Sequence, residues 1–287
     1  MAHPVPEVDV TDTLVRTLLN EQHPDLAERP LSWAGTGWDN ALWRLGDDLA
    51  ARLPVRAAAA PLVAHEQQWL PVLAPGLPVD VPVPVRVGTA SSTYPWAWSV
   101  VPWFDAVAAH HTPVAERSAW AAHLAEVFLA LHRPAPGNAP VNPVRGIPVP
   151  RDRLAERLAT LDVPDSDRIL ERFRDLADAP AWDGAALWLH GDPHPANLLV
   201  QGGALRAVID FGDLTSGDPA SDLATAWLTF DSDGREAFRQ GLRYDDATWR
   251  RARAWALHLA VMFLLHPDEH PGLVPIGLHG LSQALSD

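Results

Sequence analysis

The spacing of apolar positions changes character near residue 102. Between Thr11 and Glu21, Leu14, Leu18 and Leu19 fall on one helical stripe. After Pro30 the runs become short: Leu31-Ser-Trp-Ala-Gly35-Thr-Gly37-Trp-Asp39-Asn40, then Ala41–Leu45, a turn at Gly46-Asp47-Asp48, and Leu49–Leu53. Strand, Gly/Asp turn, strand is a hairpin signal. Around 61–73, Leu62, Trp69, Leu70 and Leu73 make one helix face. Val81–Val87 and Trp98–Val101 read as further strands. Pro82 and Pro84 confine the first to an edge, because proline offers no N–H to a ladder.

From about Thr112 the period becomes helical. Thr112 and Pro113 form an N-cap and first-turn pair, and Trp120, Leu124, Val127, Phe128 and Leu131 line one face. Trp33, Trp69, Trp120 and Trp227 sit where a core would want them, and Trp249 and Trp255 read the same way. Residues 134–150 form a Pro-rich loop, long enough to be functional or mobile. Helices are expected at 151–161, 166–178, 219–230, 233–242 and 246–266. Short strand-like runs at Ala186–Leu189, Leu198–Val200 and Leu205–Phe211 lie among them. The expected fold class is α+β: a small strand-rich N-lobe (1–102) and a larger, mainly helical C-lobe (103–287).

Composition removes several classes. Without cysteine there is no disulfide, thiolate nucleophile or Cys-based metal site. The longest apolar run, Ala254–Leu265, is broken by His258 and too short to span a bilayer. The first ten residues lack the basic and apolar regions of a leader. A net charge of −14 argues against nucleic-acid binding. The expectation is a cytoplasmic protein with neither a membrane nor a nucleic-acid partner. All 22 basic residues are arginine.

The chemistry concentrates in Leu187-Trp-Leu-His190-Gly-Asp192-Pro-His194-Pro-Ala-Asn197-Leu-Leu-Val and the following Ala207-Val-Ile-Asp210-Phe-Gly-Asp213. Apolar runs enter and leave the polar loop, and another short strand delivers Asp210 at its end. Asp192, Asn197 and Asp210 therefore bring three oxygen-bearing side chains to one place. Hard oxygen donors suit Mg²⁺, which takes its other ligands from water and phosphate. A competing pattern is His190-x-Asp192-x-His194, which could serve a metal-dependent hydrolase. His190 also follows an apolar run, as a buried histidine bonded to backbone would. Asp213 is either a further metal ligand or a turn cap. Asp222 stands at the start of a helix whose Leu223, Ala226 and Trp227 look buried, where a carboxylate can accept backbone N–H groups.

The paired motif HGDxxxxN and IDFGD resembles the aminoglycoside phosphotransferase family, and the resemblance covers nearly the whole chain. It implies a two-lobed protein-kinase-like fold and transfer of the γ-phosphoryl group of ATP or GTP to a small-molecule hydroxyl, as in antibiotic resistance. The family role of the residue matching Asp192 is to position or deprotonate the acceptor hydroxyl. Those matching Asn197 and Asp210 hold Mg²⁺, and the one matching Asp222 braces the loop. Such catalysis is mainly positioning and charge stabilisation.

The nucleotide side rests on an apparent misfit. Glu66 lies on the apolar face of the 61–73 helix, where an unpaired carboxylate is costly. Its expected partner is Arg52 in the strand Leu49–Pro54, with Arg56 the rival cation. The resemblance places a lysine at position 52, bridging the glutamate and the nucleotide phosphates. Arginine there is the one departure from the family pattern, and it keeps a weakly catalytic nucleotide-binding pseudokinase as an alternative. Gly35 and Gly37, between two strands, can present backbone N–H groups to phosphates. The resemblance puts the hinge at Trp98–Phe104, with the base against Val101 and a backbone donor from Trp103 or Phe104.

Acids outnumber arginines in both lobes, which serves solubility and also suits a cationic acceptor. Asp231, Asp233, Glu236, Asp268 and Glu269 are the candidate substrate contacts.

Overall fold

The computed structural model describes residues 5–286. They divide into two compact units: one up to Pro75 with Asp80–Asp105, the other Gly76–Val79 with Ala106 onward. Both strands and helices are present, so the class is α+β.

The first unit opens with helix α1 (Asp12–Gln22), capped by the Thr11 side chain on the Leu14 N–H. Its sheet holds β1 (Leu31–Thr36), β2 (Asn40–Leu45), β3 (Leu49–Pro54), β4 (Arg86–Gly88) and β5 (Trp98–Pro102), in the order β1-β2-β3-β5-β4, with antiparallel neighbours. Helix α2 (Ala60–Leu73) lies between β3 and β4 in sequence. The core packs Val15, Leu18 and Leu19 of α1 with Leu45, Leu53, Tyr94, Trp98 and Val100.

Two expectations fail here for identifiable reasons. The 81–87 run yields strand only at Arg86–Gly88, because Pro82 and Pro84 cannot donate to the ladder. Trp33 is 52% exposed, not core. It lies on the edge strand β1 and meets Trp43 edge to face, with ring centroids 5.1 Å apart.

In the second unit, β6 (Val107–Ala108) leads to the short helix α3 (Val114–Arg117) and then α4 (Ala121–Leu131). Trp120, Leu124, Val127, Phe128 and Leu131 are all buried. Thr112 does not cap this segment; its hydroxyl donates to the Ala109 carbonyl at 2.8 Å. Pro113 instead precedes α3, and a turn of 3₁₀ helix separates α3 from α4.

Next come α5 (Arg153–Leu158), α6 (Ser166–Ala177), β7 (Leu187–Leu189), β8 (Leu198–Gln201), β9 (Ala204–Val208) and β10 (Thr215–Gly217). The helices α7 (Ala220–Leu223), α8 (Thr225–Thr229), α9 (Ser232–Gln240), α10 (Asp246–Phe263) and α11 (Val274–Leu285) complete the unit. Helix α10 is buried on nearly every side, as a central helix must be. Trp227, Trp249 and Trp255 are core residues. Strand β8 pairs with β6 and β9, and β7 pairs with β10, so two small sheets frame the 190–197 loop. No helix among the described residues is long and apolar enough to cross a membrane.

Candidate active site

Strand β7 enters the loop and β8 leaves it, with both strands mostly buried. The loop is tied to itself: the His194 N–H donates to Asp192 O at 2.9 Å, and the Asn197 N–H to His194 O at 2.8 Å. Asn197 Nδ2 also donates to Asp192 O at 2.9 Å. Gly191 sits at φ +92°, and a Cβ there would lie 2.1 Å from the Asp213 carbonyl oxygen, so only glycine fits.

The Asp192 carboxylate is gripped at both oxygens. Arg145 Nη2 donates to Oδ1 at 3.2 Å, and His194 Nε2 lies 3.3 Å from Oδ2. Burial alone would push the Asp192 carboxyl up. The charges of His194 and Arg145 outweigh that and hold it well below the usual carboxylate range. The carboxylate keeps 23% of its side-chain surface exposed, enough for a small group to reach it.

Asp213 has the opposite balance. Burial pushes its carboxyl up to about 6, against Arg145 and with help from the Asp192 and Asp210 charges. Asn142 Nδ2 donates to Asp213 Oδ1 at 2.7 Å. Arg145 and Asn142 both come from the Pro-rich loop, to which sequence reasoning assigned no site residue. The signal for Arg145 was a lone cation among prolines, indistinguishable in sequence from a surface arginine.

Asn197 and Asp210 end neighbouring strands. The β8–β9 register pairs Leu198 with Val208, and the Ile209 N–H donates to Asn197 O at 2.9 Å. Asp210 then turns sharply, at φ 63°, a left-handed conformation that is costly for a residue with a Cβ. With Nδ2 spent on Asp192 O, the amide oxygen is what Asn197 has left to offer a ligand. One amide oxygen and one carboxylate fit Mg²⁺, which completes its shell with water and phosphate oxygens.

The His190, Asp192 and His194 hydrolase cluster does not assemble. His190 is fully buried with both ring nitrogens engaged: Nε2 with Ile209 O at 3.0 Å, and Nδ1 accepting from the Asp192 N–H at 3.1 Å. Among the described residues no group of three His, Cys, Asp or Glu side chains is placed to hold a metal ion.

Asp222 anchors the loop from below. Its Oδ2 accepts from the His190 N–H at 2.7 Å, and its Oδ1 from the Gly191 N–H at 2.9 Å. His132 Nε2 lies 3.2 Å from Oδ2, and His132 Nδ1 lies 2.8 Å from the Tyr244 hydroxyl. The sequence singled out Asp222, but nothing in it pointed to His132 or Tyr244.

In the first unit, Arg52 Nη1 donates to both carboxylate oxygens of Glu66, and both side chains are largely enclosed. Arg56, the rival cation, pairs with Asp39 instead, its Nε 2.8 Å from Oδ1. Gly35 and Gly37 flank the end of β1, with Gly35 at φ +139° beside a bulge. Val101 is buried on β5 opposite Ala50. The Trp103 N–H donates to Asp48 O at 2.7 Å, so the donor expected of Trp103 is engaged within the unit; Phe104, the other expected donor, is half-buried.

The candidate substrate acids separate into two groups. Asp231 caps α9 through Gly234 N at 2.9 Å and accepts from Ser118 Oγ at 3.0 Å. Asp233 and Glu236 are exposed on α9 and accept from Ser232 and Gln240. Asp268 and Glu269 are exposed on the segment leaving α10. That segment starts beside the loop, because the Phe263 ring lies edge-on to His194 at 5.2 Å. It also passes His110, whose N–H donates to Pro195 O at 3.1 Å.

The model of the phosphotransferase enzyme family (APH) matches residues 33–255. Among solved structures, the chain is similar to the GDP complex of aminoglycoside 2'-phosphotransferase-IIIa, with 20% identity, 96% of this chain and 99% of that chain covered, and a TM-score of 0.71. The GDP and kanamycin complex of APH(2")-IIIa gives 20% identity, coverage of 94% and 97%, and a TM-score of 0.69. The macrolide 2'-phosphotransferase MphH from Brachybacterium faecium gives 21% identity, coverage of 94% and 97%, and a TM-score of 0.60. At these identities the likeness is one of fold. No curated protein matches the sequence.

Proposed function

The chain belongs to the phosphotransferase enzyme family, and from that membership we propose that it transfers the γ-phosphoryl group of a nucleoside triphosphate to a hydroxyl of an antibiotic-like small molecule. The observation that carries this reading is the Asp192 carboxylate, held at both oxygens yet still reachable. Fixed in this way, it accepts a hydrogen bond from the acceptor hydroxyl and aims its oxygen. A carboxylate held so far down is a weak base. Its part is therefore orientation, with the proton taken late, as a loose transition state requires.

Asn197, through its amide oxygen, and Asp210, through its carboxylate, would hold Mg²⁺, which neutralises phosphate charge when bound. Arg52, steadied by Glu66, offers a guanidinium to nucleotide phosphates as a fork and not as the point charge of a lysine. The Gly37 N–H is spent on Asn40 O at 2.9 Å, so the turn at Gly35 and Gly37 serves the same phosphates by letting backbone approach them closely, and Val101 packs against the base. Arg52 keeps its pairing with Glu66, and the presence of Asp192, Asn197 and Asp210 together supports an active enzyme over a pseudokinase. Similar structures include aminoglycoside phosphotransferases with GDP or ATP bound and a macrolide phosphotransferase without nucleotide; the former support ATP or GTP as donor, and both support a hydroxylated antibiotic as acceptor. Asp268 and Glu269, exposed beside the loop, suit an acceptor that carries ammonium groups. A cytoplasmic location, where nucleoside triphosphates are abundant, goes with this reading.

The test is a nucleotide-consumption screen of aminoglycosides, macrolides and simple amino alcohols with both ATP and GTP. Acceptor-dependent release of the diphosphate is expected, and Asp192→Ala should reduce it by about 10³-fold while nucleotide affinity holds. Nucleotide binding without turnover on any acceptor would favour the pseudokinase reading.

A further inference from the structure

We propose that Arg145, from the Pro-rich loop, is a positioning residue for phosphoryl transfer: its guanidinium fixes the rotamer of Asp192. The proposal rests on the phosphotransferase reading above and adds to it a residue outside the HGDxxxxN and IDFGD motifs.

Three independent features support it. The first is the direct bond: Arg145 Nη2 donates to Asp192 Oδ1 at 3.2 Å, opposite the His194 contact at Oδ2. A carboxylate bonded at one oxygen can still swing about χ2, whereas one bonded at both cannot.

The second is the way the loop is fastened. Residues 134–150 are stitched to β10 and the turn before it. The Asn142 N–H donates to Thr215 Oγ1 at 2.8 Å, Asn142 Nδ2 to Asp213 Oδ1 at 2.7 Å, and the Ser216 N–H to Pro140 O at 3.0 Å. On the far side of Arg145, the Gly146 N–H donates to Ser221 Oγ at 3.2 Å and the Asp218 N–H to Gly146 O at 2.9 Å. Asp218 is itself locked by Arg251, with Nε to Oδ2 at 2.8 Å. The loop is therefore anchored on both sides of Arg145 and presents it from a fixed base.

The third is what the fold gives up. Arg145 is 7% exposed, and its buried Nε has no hydrogen-bond partner. Leaving a buried donor unmet costs stability. Beyond a bond from Nη1 to its neighbour's carbonyl, Val144 O, at 3.2 Å, the side-chain acceptor that compensates this burial is Asp192.

The experiment compares Arg145→Met and Arg145→Lys with the wild-type full chain. The readout is phosphate release from ATP and from GTP with water as acceptor. In this reaction the bond from the γ-phosphorus to the bridging oxygen breaks, a bond to the water oxygen forms, and the water proton leaves to solvent. Arg145→Met should lower kcat by about 10- to 100-fold, with the nucleotide KM changed less than about threefold. Arg145→Lys should recover part of kcat, and millimolar guanidinium should partly rescue Arg145→Ala. Millimolar guanidinium is too dilute to change stability as a denaturant, so rescue of kcat at an unchanged melting temperature marks positioning, and rescue that only tracks a raised melting temperature marks a structural role. Unchanged kcat in Arg145→Met, or a loss that neither lysine nor guanidinium restores, overturns the proposal. A crystal structure of Arg145→Met provides a readout independent of activity. A rotated Asp192 carboxylate is expected, and an unmoved one refutes the role. If the wild type releases no phosphate to water from either nucleotide, the rotamer alone decides the place of Arg145, and the phosphotransferase reading is decided separately by the acceptor screen above.

Discussion

Arg52 and Glu66 form an ion pair within the first unit, while Arg56, four residues along, is bound to Asp39. The two cations closest to the end of β3 thus have different partners. Only Arg52 faces the helix carboxylate that the sequence left stranded. Charged hydrogen bonds are worth about 1.5–3 kcal/mol each, so Arg52→Ala should raise the nucleotide KM about 10- to 100-fold. Arg56→Ala should change it far less. Steady-state kinetics with ATP and GTP check this, and a larger effect at Arg56 would reverse the assignment. Arg52→Lys should stay active, because the point charge still meets Glu66.

Asp222 carries two loop N–H groups and a histidine at once. Asp222→Ala would leave both N–H groups buried without an acceptor, at about 1–3 kcal/mol apiece. Urea unfolding should show a loss of about 2–5 kcal/mol, a large fraction of what a domain possesses. Tyr244→Phe removes only the last link, the hydroxyl on His132, and should cost about 1 kcal/mol. Equal costs for the two variants would mean that the chain of bonds is not anchored at Asp222.

Much of this site was legible because chemistry and periodicity coincide there. Short buried runs around a polar loop can only be strands delivering the loop, and Glu66 on an apolar stripe demanded a cation. Arg145 was not legible, since a contact across 47 residues leaves no local trace. Helix α11 was not among the expected helices, and it carries Gly277 and Gly280 in its interior. The structure shows why glycine is tolerated: a Cβ at Gly277 would lie 2.7 Å from the Ala260 carbonyl oxygen of α10. Close helix packing outweighs propensity there. Trp33 looked like core because hydrophobicity alone does not reveal which strand lies at the sheet edge.

His258 on α10 makes stability depend on pH. It is 3% exposed, accepts from Arg157 Nη1 at 3.0 Å, and has no partner for Nδ1. Burial, followed by the charges of Arg157, Arg145 and Arg153, lowers its pKa to about 3. The folded value lies below the unfolded value of about 6.5, so between the two the unfolded chain binds a proton that the folded chain refuses. The stability that His258 contributes is complete above pH 6.5 and is lost as pH falls toward 3. Within that window the loss is about 1.4 kcal/mol per pH unit. Measured from pH 7 to 4.5, the stability of His258→Gln should fall less steeply than that of wild type. Parallel curves would show that His258 does not titrate as described.

Gly191 tests whether the site tolerates any displacement between Asp192 and Asp210. A methyl group there meets the Asp213 carbonyl, and φ +92° is strained for any side chain. Gly191→Ala must therefore move the loop, the 211–213 turn, or both. Either shift changes the separation of Asp192 from Asp210, and a 1 Å misplacement near a reacting group costs about 10²-fold in rate. The nucleotide residues of the first unit are untouched, so the fall should appear in kcat with nucleotide affinity retained. Isothermal titration with ATP or GTP beside turnover measurements separates the two. A variant with wild-type kcat would show that the loop absorbs the methyl without moving Asp192, and that its fastening by Asp222 and Arg145 is looser than these contacts indicate.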